Sequence, residues 1–96
     1  MITIQLPSAL RGFTGGQPEI ELPSELVKTA DNAVRTLAQQ YPDLQRHLFD
    51  ENDKLRSYVN IYLNDEDIRS FDGVNTAIKD GDTLMLIPAI AGGSES

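Results

Sequence analysis

The sequence contains no cysteine, and this absence excludes several kinds of site at once. Disulfide bonds, thiolate metal sites and a cysteine nucleophile all need a residue that the chain does not have. His47 is the only histidine, and one histidine without cysteine makes no recognisable metal site. No nucleophile-elbow sequence is present that would suggest a catalytic triad of His47 with Ser57 or Ser70. We therefore predict no metal site and no catalytic group of the chain's own, and we interpret His47 as a surface residue of a short helix.

Basic residues are few, and long apolar runs are missing. Eight Lys and Arg stand against 15 Asp and Glu, which gives a net charge of −7. This charge is repelled by nucleic-acid phosphates and by anionic membrane surfaces. No apolar run approaches the ~20 residues that a membrane helix needs, and no basic and apolar leader precedes Ile2. We expect a cytoplasmic protein that binds neither nucleic acid nor membrane.

Alternation of apolar and polar residues predicts the strands. The pattern holds over residues 2–6, 19–22 and 58–63, and an apolar, strand-like run follows at 83–87. The composition of this last run predicts a buried strand. A glycine-containing loop joins the first two strands and suggests a hairpin. We also expect a short strand at Ile68–Arg69. Ninety-six residues are enough for one domain.

Apolar residues spaced by three and four predict one main helix. It begins after an N-cap at Thr29, carries Asp31 in its first turn and ends at Pro42. A shorter helix is expected over residues 43–49 and a helical turn over 74–78. A crossover helix after a hairpin brings the next strand back into the same sheet. The prediction is an α+β fold, with a mixed sheet of four to five strands and one main helix packed across it.

Two kinds of loop invite a ligand-binding interpretation that their context does not support. The glycine loop at residues 12–16 lacks the Gly-Lys-Ser/Thr ending of a P-loop, and a strand follows it instead of a helix. The acidic runs at 50–53 and 64–67 resemble calcium loops only in composition, and Leu55 stands where an EF-hand starting at residue 50 needs glycine. We interpret the first as a plain loop and the others as solvated turns.

The composition of the chain changes at Pro88. Proline stops the last predicted strand, and the residues after it are small, without aromatics, and include the adjacent Gly92 and Gly93. A residue without a side chain can enter a narrow channel and bring its backbone close to another molecule. Many chain ends are small, polar and without function, but two glycines just past the last core strand favour a functional tail. We predict a domain at residues 1–88, a flexible tail at 89–96, and function at the carbonyl of Gly93.

Three stretches of the sequence carry a resemblance to a known family. They are residues 10–16, residues 59–69, and the run 78–82 that continues into 87–93. On these stretches the chain resembles the ubiquitin-like sulfur-carrier proteins, the ThiS/MoaD-like family, over almost its whole length. It looks most like the carrier of the actinobacterial cysteine pathway. The resemblance implies a β-grasp fold, in which the last strand lies beside the first, and a carrier protein that is not itself an enzyme.

The resemblance also implies a chemical cycle at the tail. An E1-like enzyme uses ATP to convert the Gly93 carboxylate to an acyl adenylate, and a sulfur nucleophile then replaces AMP to leave a thiocarboxylate. The sulfur passes to an accepting enzyme, for which a pyridoxal-phosphate cysteine synthase is one candidate. Gly93 is then the reacting residue, while Gly92 and Ala91 provide clearance. The chain itself binds no cofactor.

Three residues after Gly93 depart from the family pattern, because a glycine followed by Ser94, Glu95 and Ser96 has an amide in place of a carboxylate. The interpretation that we favour is removal of this tripeptide by a zinc metalloprotease of the JAMM type, as in some relatives. Two alternatives stay open: the tripeptide does not belong to the natural chain, or the chain is never thiocarboxylated.

Three other functions stay open on the sequence alone. A ubiquitin-like modifier would join the same Gly93 to lysines of target proteins. The small subunit of a molybdopterin-synthase-like complex would insert its tail into a partner's active site. A pure binding module would keep its role without residues 92–96. We expect a monomer, since one core can accommodate all the strong apolar stripes.

Overall fold

The computed structural model describes residues 1–88 of the chain, and these contain five strands. The strands are β1 (Ile2–Gln5), β2 (Glu19–Leu22), β3 (Val59–Leu63), β4 (Glu66–Asp67) and β5 (Thr83–Pro88). They form one sheet in the order β2-β1-β5-β3-β4. β1 and β5 are parallel, and every other pair is antiparallel. First and last strands side by side in a mixed sheet define the β-grasp fold, and the predicted fold class is confirmed.

Three α-helices accompany the sheet in the described part of the chain. They are α1 (Ser8–Arg11), α2 (Ala30–Gln40) and α3 (Pro42–Leu48). The longest, α2, has 11 residues, and none of the described helices is long and apolar enough to cross a membrane. α2 buries one face, with Ala33, Val34 and Leu37 fully covered. The core therefore lies between this face and one side of the sheet.

The ends of α2 follow the sequence signals. The Oγ1 of Thr29 accepts a hydrogen bond from the backbone N–H of Asn32 at 3.1 Å, which satisfies one of the unpaired donors at the helix start. Asp31 in the first turn pairs with Arg35 at 2.9 Å. Pro42 ends α2 and then begins α3, because proline is tolerated in a first helical turn.

The expected strand at Ile68–Arg69 is wrong by two residues. Asn64 and Asp65 have positive φ angles of 50° and 74° and form a two-residue turn, so the chain returns immediately and β4 pairs with Tyr62 and Leu63. Residues 68–70 form a 3-10 helix instead. The Asp67 carboxylate accepts the Arg69 N–H at 2.9 Å and caps this helix.

One further local prediction needs correction, and one short helix was not predicted. The expected helical turn at 74–78 is a 3-10 helix over Gly73–Asn75, and Ala77 instead forms an isolated bridge with Thr29 at the start of α2. The residues after β1 form α1, for which four residues give no periodic signal in the sequence. The predicted shorter second helix is confirmed as α3.

Replacing the cap of α2 should have a small, measurable cost. We expect Thr29→Ala to lower the free energy of unfolding by about 1 kcal/mol, because the Asn32 N–H loses its acceptor. Thr36→Ala is the matched control, since the Thr36 hydroxyl only donates to the Asn32 carbonyl within the helix, at 2.8 Å. Urea denaturation of both variants measures the difference. Equal losses would contradict the capping role.

Candidate functional site at the end of β5

The predicted site residues follow the last described strand. Ala91, Gly92 and Gly93, and the tripeptide Ser94–Ser96, all lie outside residues 1–88. The structure therefore defines the point from which the tail starts. β5 is the central strand of the sheet, and its last residue, Pro88, pairs with Val59 at the beginning of β3.

The prediction that β5 is a buried strand holds for only one of its faces. Leu84 and Leu86 are fully covered, whereas Ile87 exposes 37% of its surface and Met85 is half-buried. Successive side chains of a strand point to opposite sides, and helices cover only one side of this sheet. The open face therefore presents apolar side chains next to the start of the tail.

A groove lies beside this exit, where β1 and β5 end together. Its volume is 340 Å³, and its lining includes Leu6, Pro7, Arg11 and Ile87. The Nε of Arg11 donates to the Leu6 carbonyl oxygen at 3.1 Å, which holds the guanidinium at the groove. We call this feature the exit groove. No pattern in the sequence indicates this groove, because it combines residues from both ends of the chain.

The glycine loop directly follows Arg11, which lines the exit groove, and hydrogen bonds fix the loop in place. The Thr14 hydroxyl is buried within hydrogen-bond distance of two carbonyl oxygens, 3.1 Å from that of Arg11 and 3.0 Å from that of Gln17, and its single proton serves one at a time. The Gln17 amide donates to the Tyr41 hydroxyl at 3.2 Å.

His47 is less exposed than the sequence analysis expected. It lies on α3 as predicted, but its ring packs against Phe13 of the glycine loop, with the ring centroids 4.4 Å apart and the planes tilted by 30°. The side chain is half-buried as a result. Its neighbours give it a packing role, holding the loop next to α3.

Gly15 and Gly16 of this loop both have positive φ angles, a conformation that side chains rarely adopt. Gly16 has φ +84°, so Gly16→Ala should lower the free energy of unfolding by about 1–2 kcal/mol. Gly12→Ala is the matched control, because Gly12 has φ −63° and equally open surroundings, and its cost should stay within about 0.5 kcal/mol. Thermal and urea denaturation would measure both. If Gly16→Ala leaves the free energy of unfolding unchanged, the loop can adopt another backbone conformation without loss of stability, and the prediction is wrong.

The acidic run at 50–53 forms a turn as predicted, whereas the run at 64–67 divides into the turn at Asn64–Asp65 and strand β4. In both runs a carboxylate accepts hydrogen bonds from nearby backbone N–H groups. The Asp50 carboxylate accepts the N–H groups of Asn52 and Lys54 at 2.8 and 3.0 Å, and these bonds hold the pKa of that carboxyl below its ordinary value. Hydrogen bonds from Arg69 likewise lower the pKa of the Asp67 carboxyl. Within residues 1–88, no group of three or more His, Cys, Asp or Glu side chains could hold a metal ion.

Comparison with known proteins decides the family. The model of the ThiS family matches residues 4–93, which include nearly the whole chain and end at Gly93. The chain belongs to the ThiS family. The resemblance inferred from the sequence is thereby confirmed.

Members and structural neighbours of the ThiS family match at nearly full length. The sulfur carrier protein CysO of Mycobacterium tuberculosis is 38% identical over 94 residues, which cover 96% of this chain and 98% of that protein. The crystal structure of the Amycolatopsis orientalis BexX/CysO complex contains a chain with a TM-score of 0.82 and 34% identity, and the match covers 97% of this chain and 100% of that one. The solution structure of small archaeal modifier protein 1 from Methanosarcina acetivorans matches with a TM-score of 0.85 and 28% identity, covering 96% and 95%.

Proposed function

We propose that the chain is a sulfur carrier whose reacting group is the carboxylate of Gly93, exposed after Ser94–Ser96 have been removed. One observation carries the proposal: the match to the ThiS family model extends through the tail and ends at Gly93. A relative of similar length, CysO of Mycobacterium tuberculosis, is a sulfur carrier protein. The fold is consistent with this proposal, because the tail continues directly from β5, the central strand of the sheet. Five residues, 89–93, span at most roughly 17 Å when extended, which is long enough to enter a partner's active site.

The chemistry at Gly93 requires activation from outside. A carboxylate is a poor electrophile, so its oxygen first attacks the α-phosphorus of ATP and displaces pyrophosphate to give an acyl adenylate. Hydrosulfide then attacks the carbonyl carbon, AMP leaves, and a thiocarboxylate remains. The sulfur adds to an electrophilic carbon of the acceptor, and water cleaves the acyl–sulfur bond to restore the carboxylate. The chain contributes a narrow, glycine-ended tail and a surface by which enzymes select it.

The proposed partners follow from these steps. An E1-like adenylating enzyme uses ATP, a JAMM-type metalloprotease removes the tripeptide, and an enzyme resembling a pyridoxal-phosphate cysteine synthase accepts the sulfur for cysteine or another small metabolite. The structure of the BexX/CysO complex supports the idea that a carrier of this fold binds a partner protein. The open face of the sheet and the exit groove lie at the end of β5, from which the tail continues, and offer such partners a surface.

The test is the intact mass of the untagged protein from its native host. We expect chains that end at Gly93, a fraction of which carry sulfur in place of one carboxylate oxygen. Alkylation of the thiocarboxylate with iodoacetamide should shift only that fraction. Chains that keep Ser94–Ser96 under sulfate-limited and sulfate-rich growth, without gained sulfur, would overturn the proposal.

A protein modifier is the second candidate function. The likeness to small archaeal modifier protein 1, at a TM-score of 0.85 and 28% identity, favours it. The same activated Gly93 would then form an amide with a lysine of a target protein. Conjugates of higher mass that survive thiol reduction would support this function. After trypsin digestion the modified lysine should carry residues 80–93, because Lys79 is the last Lys or Arg before Gly93.

A further inference from the structure

The outer edge of β3 is only half paired. β3 pairs with β5 along its whole length, from Val59 to Leu63, but β4 pairs only with Tyr62 and Leu63. Within the described residues, Val59–Ile61 therefore have no strand on their outer side. Unpaired backbone N–H and C=O groups at such an edge can pair with another chain. The Val59 N–H is not among them, since it donates to the Arg56 carbonyl oxygen at 3.0 Å.

A groove runs along this unpaired edge. Its volume is 210 Å³, and on the far side lie the 3-10 helix at 68–70 and Val74. Val59, Ile61 and Ile68 contribute apolar side chains that are largely buried beneath it. Proteins usually protect an edge with lysine, proline or a bulge, and residues 59–61 are Val, Asn and Ile. We call this feature the edge groove.

Two arginines bring positive charge to the edge groove in a chain that is acidic overall. Arg56 and Arg69 line it together with one carboxylate, that of Asp67, so the lining carries a net positive charge although the chain carries −7. Arg69 is paired with Asp67 at 2.6 Å. Arg56 donates to the Arg46 carbonyl oxygen at 2.9 Å and makes no ion pair within the described residues. A strand with acidic residues at its ends and apolar residues between them would complement the two arginines and the apolar side chains that line the edge groove.

We propose that the edge groove takes an extended acidic segment of a partner protein, which adds to the sheet as a strand beside β3. Peptides bind sheet edges in this way, with backbone hydrogen bonds giving affinity and side-chain pockets giving specificity. The added strand lies two strand spacings, about 10 Å, from β5, and Val59 is already opposite Pro88. A partner bound there is within reach of the tail. This last step rests on the proposed function, whereas the binding itself does not.

The test is an NMR titration of the ¹⁵N-labelled full chain with synthetic peptides. The probe is Asp-Val-Ile-Val-Asp with blocked ends, and we expect shifts of the Val59, Asn60 and Ile61 amides. The same peptide with N-methyl groups on the amides that face β3 is the main control, because it removes donors without changing the protein. Its affinity, and that of Lys-Val-Ile-Val-Lys, should be at least about tenfold lower, the factor that 1.4 kcal/mol represents.

Protein variants separate charge from backbone pairing. Arg56→Gln should lower the affinity for the acidic peptide several-fold and leave the midpoint of thermal unfolding near that of the parent protein. Lys79→Gln is the matched control, since Lys79 is an exposed cation that does not line the edge groove, and it should bind as the parent does. Equal weakening by both variants would indicate a general charge effect and overturn the proposal.

Other results would overturn the proposal in favour of another occupant. Shifts of the same amides on raising the protein concentration alone would indicate a second copy of this chain. Shifts of the same amides when the chain is truncated after Pro88 would indicate that the chain's own tail occupies the edge groove. Equal binding of the N-methylated peptide, or no binding at millimolar peptide, would exclude strand addition. The result is independent of the intact-mass test: sulfur on Gly93 without edge binding refutes this inference alone, and edge binding without sulfur refutes only the proposed function.

Discussion

Gly92→Val, introduced into the chain that ends at Gly93, should lower kcat/KM for activation roughly 100-fold, or about 2.7 kcal/mol. Activation by the host's E1-like enzyme is measured as ATP-dependent AMP release. The reason is steric: a carboxylate oxygen of Gly93 must come within bonding distance of the ATP α-phosphorus, and a β-branched side chain on the preceding residue widens the tail. It also restricts the backbone where glycine has the greatest freedom.

Ala89→Val is the matched control for this substitution. It adds similar bulk to the same tail but four residues from the reacting carboxylate, so we expect a change in kcat/KM of less than about threefold, equivalent to under 0.7 kcal/mol. If both variants react alike, the tail as a whole sets the fit and the clearance assigned to Gly92 is wrong. If the unsubstituted chain ending at Gly93 is not adenylated at all, the sulfur-carrier proposal fails.

The largest effect on stability should come from Leu86→Ala. Leu86 is fully buried in the central strand of the sheet. Truncating it removes apolar contacts and leaves a cavity, with an expected loss of about 3–4 kcal/mol in the free energy of unfolding. A small domain has a stability of only about 5–15 kcal/mol, so this loss is a large fraction of the total. Urea denaturation monitored by circular dichroism measures it.

Ile87→Ala tests whether burial is the cause. Ile87 is the next residue of β5 but points to the open face and exposes 37% of its surface. We expect a loss of about 1 kcal/mol, within the range of ordinary point substitutions. Similar losses for the two variants would show that strand propensity, and not the core, determines the cost. A reduced activation rate for Ile87→Ala with little change in stability would support the open face as a docking surface.

Most of the fold could be predicted because its main elements carry independent and agreeing signals. α2 has a capping threonine, an apolar face and a terminating proline, and each places the helix in the same residues. β1 alternates cleanly because only one side of the sheet is covered. The pairing of the last strand with the first followed from the resemblance to the β-grasp family.

The errors arose where local conformation depends on contacts distant in sequence or on unusual backbone angles. The strand expected at Ile68 was displaced because Asn64 and Asp65 adopt positive φ and close a tighter turn than their composition implied. Ile87 was expected to be buried with its neighbours because an apolar run does not show which face lacks a cover. The exit groove joins segments from both ends of the chain, and the edge groove depends on how residues 67–74 fold back beside β3, so no regular spacing of residues in the sequence indicates either groove. The predictions for Gly92 and Gly93 stay predictions.

The parallel contact between β1 and β5 has a mechanical consequence. β1 starts at one end of the sheet and β5 finishes at the other, and the register Thr3–Thr83 to Gln5–Met85 locks them along their length. Tension applied between the N-terminus and the tail therefore shears these hydrogen bonds together instead of unzipping them one at a time. An unfoldase that grips the tail must also strip β5 from β3 in the same movement. We therefore expect the domain to stay folded when a partner pulls on the C-terminal end of the chain.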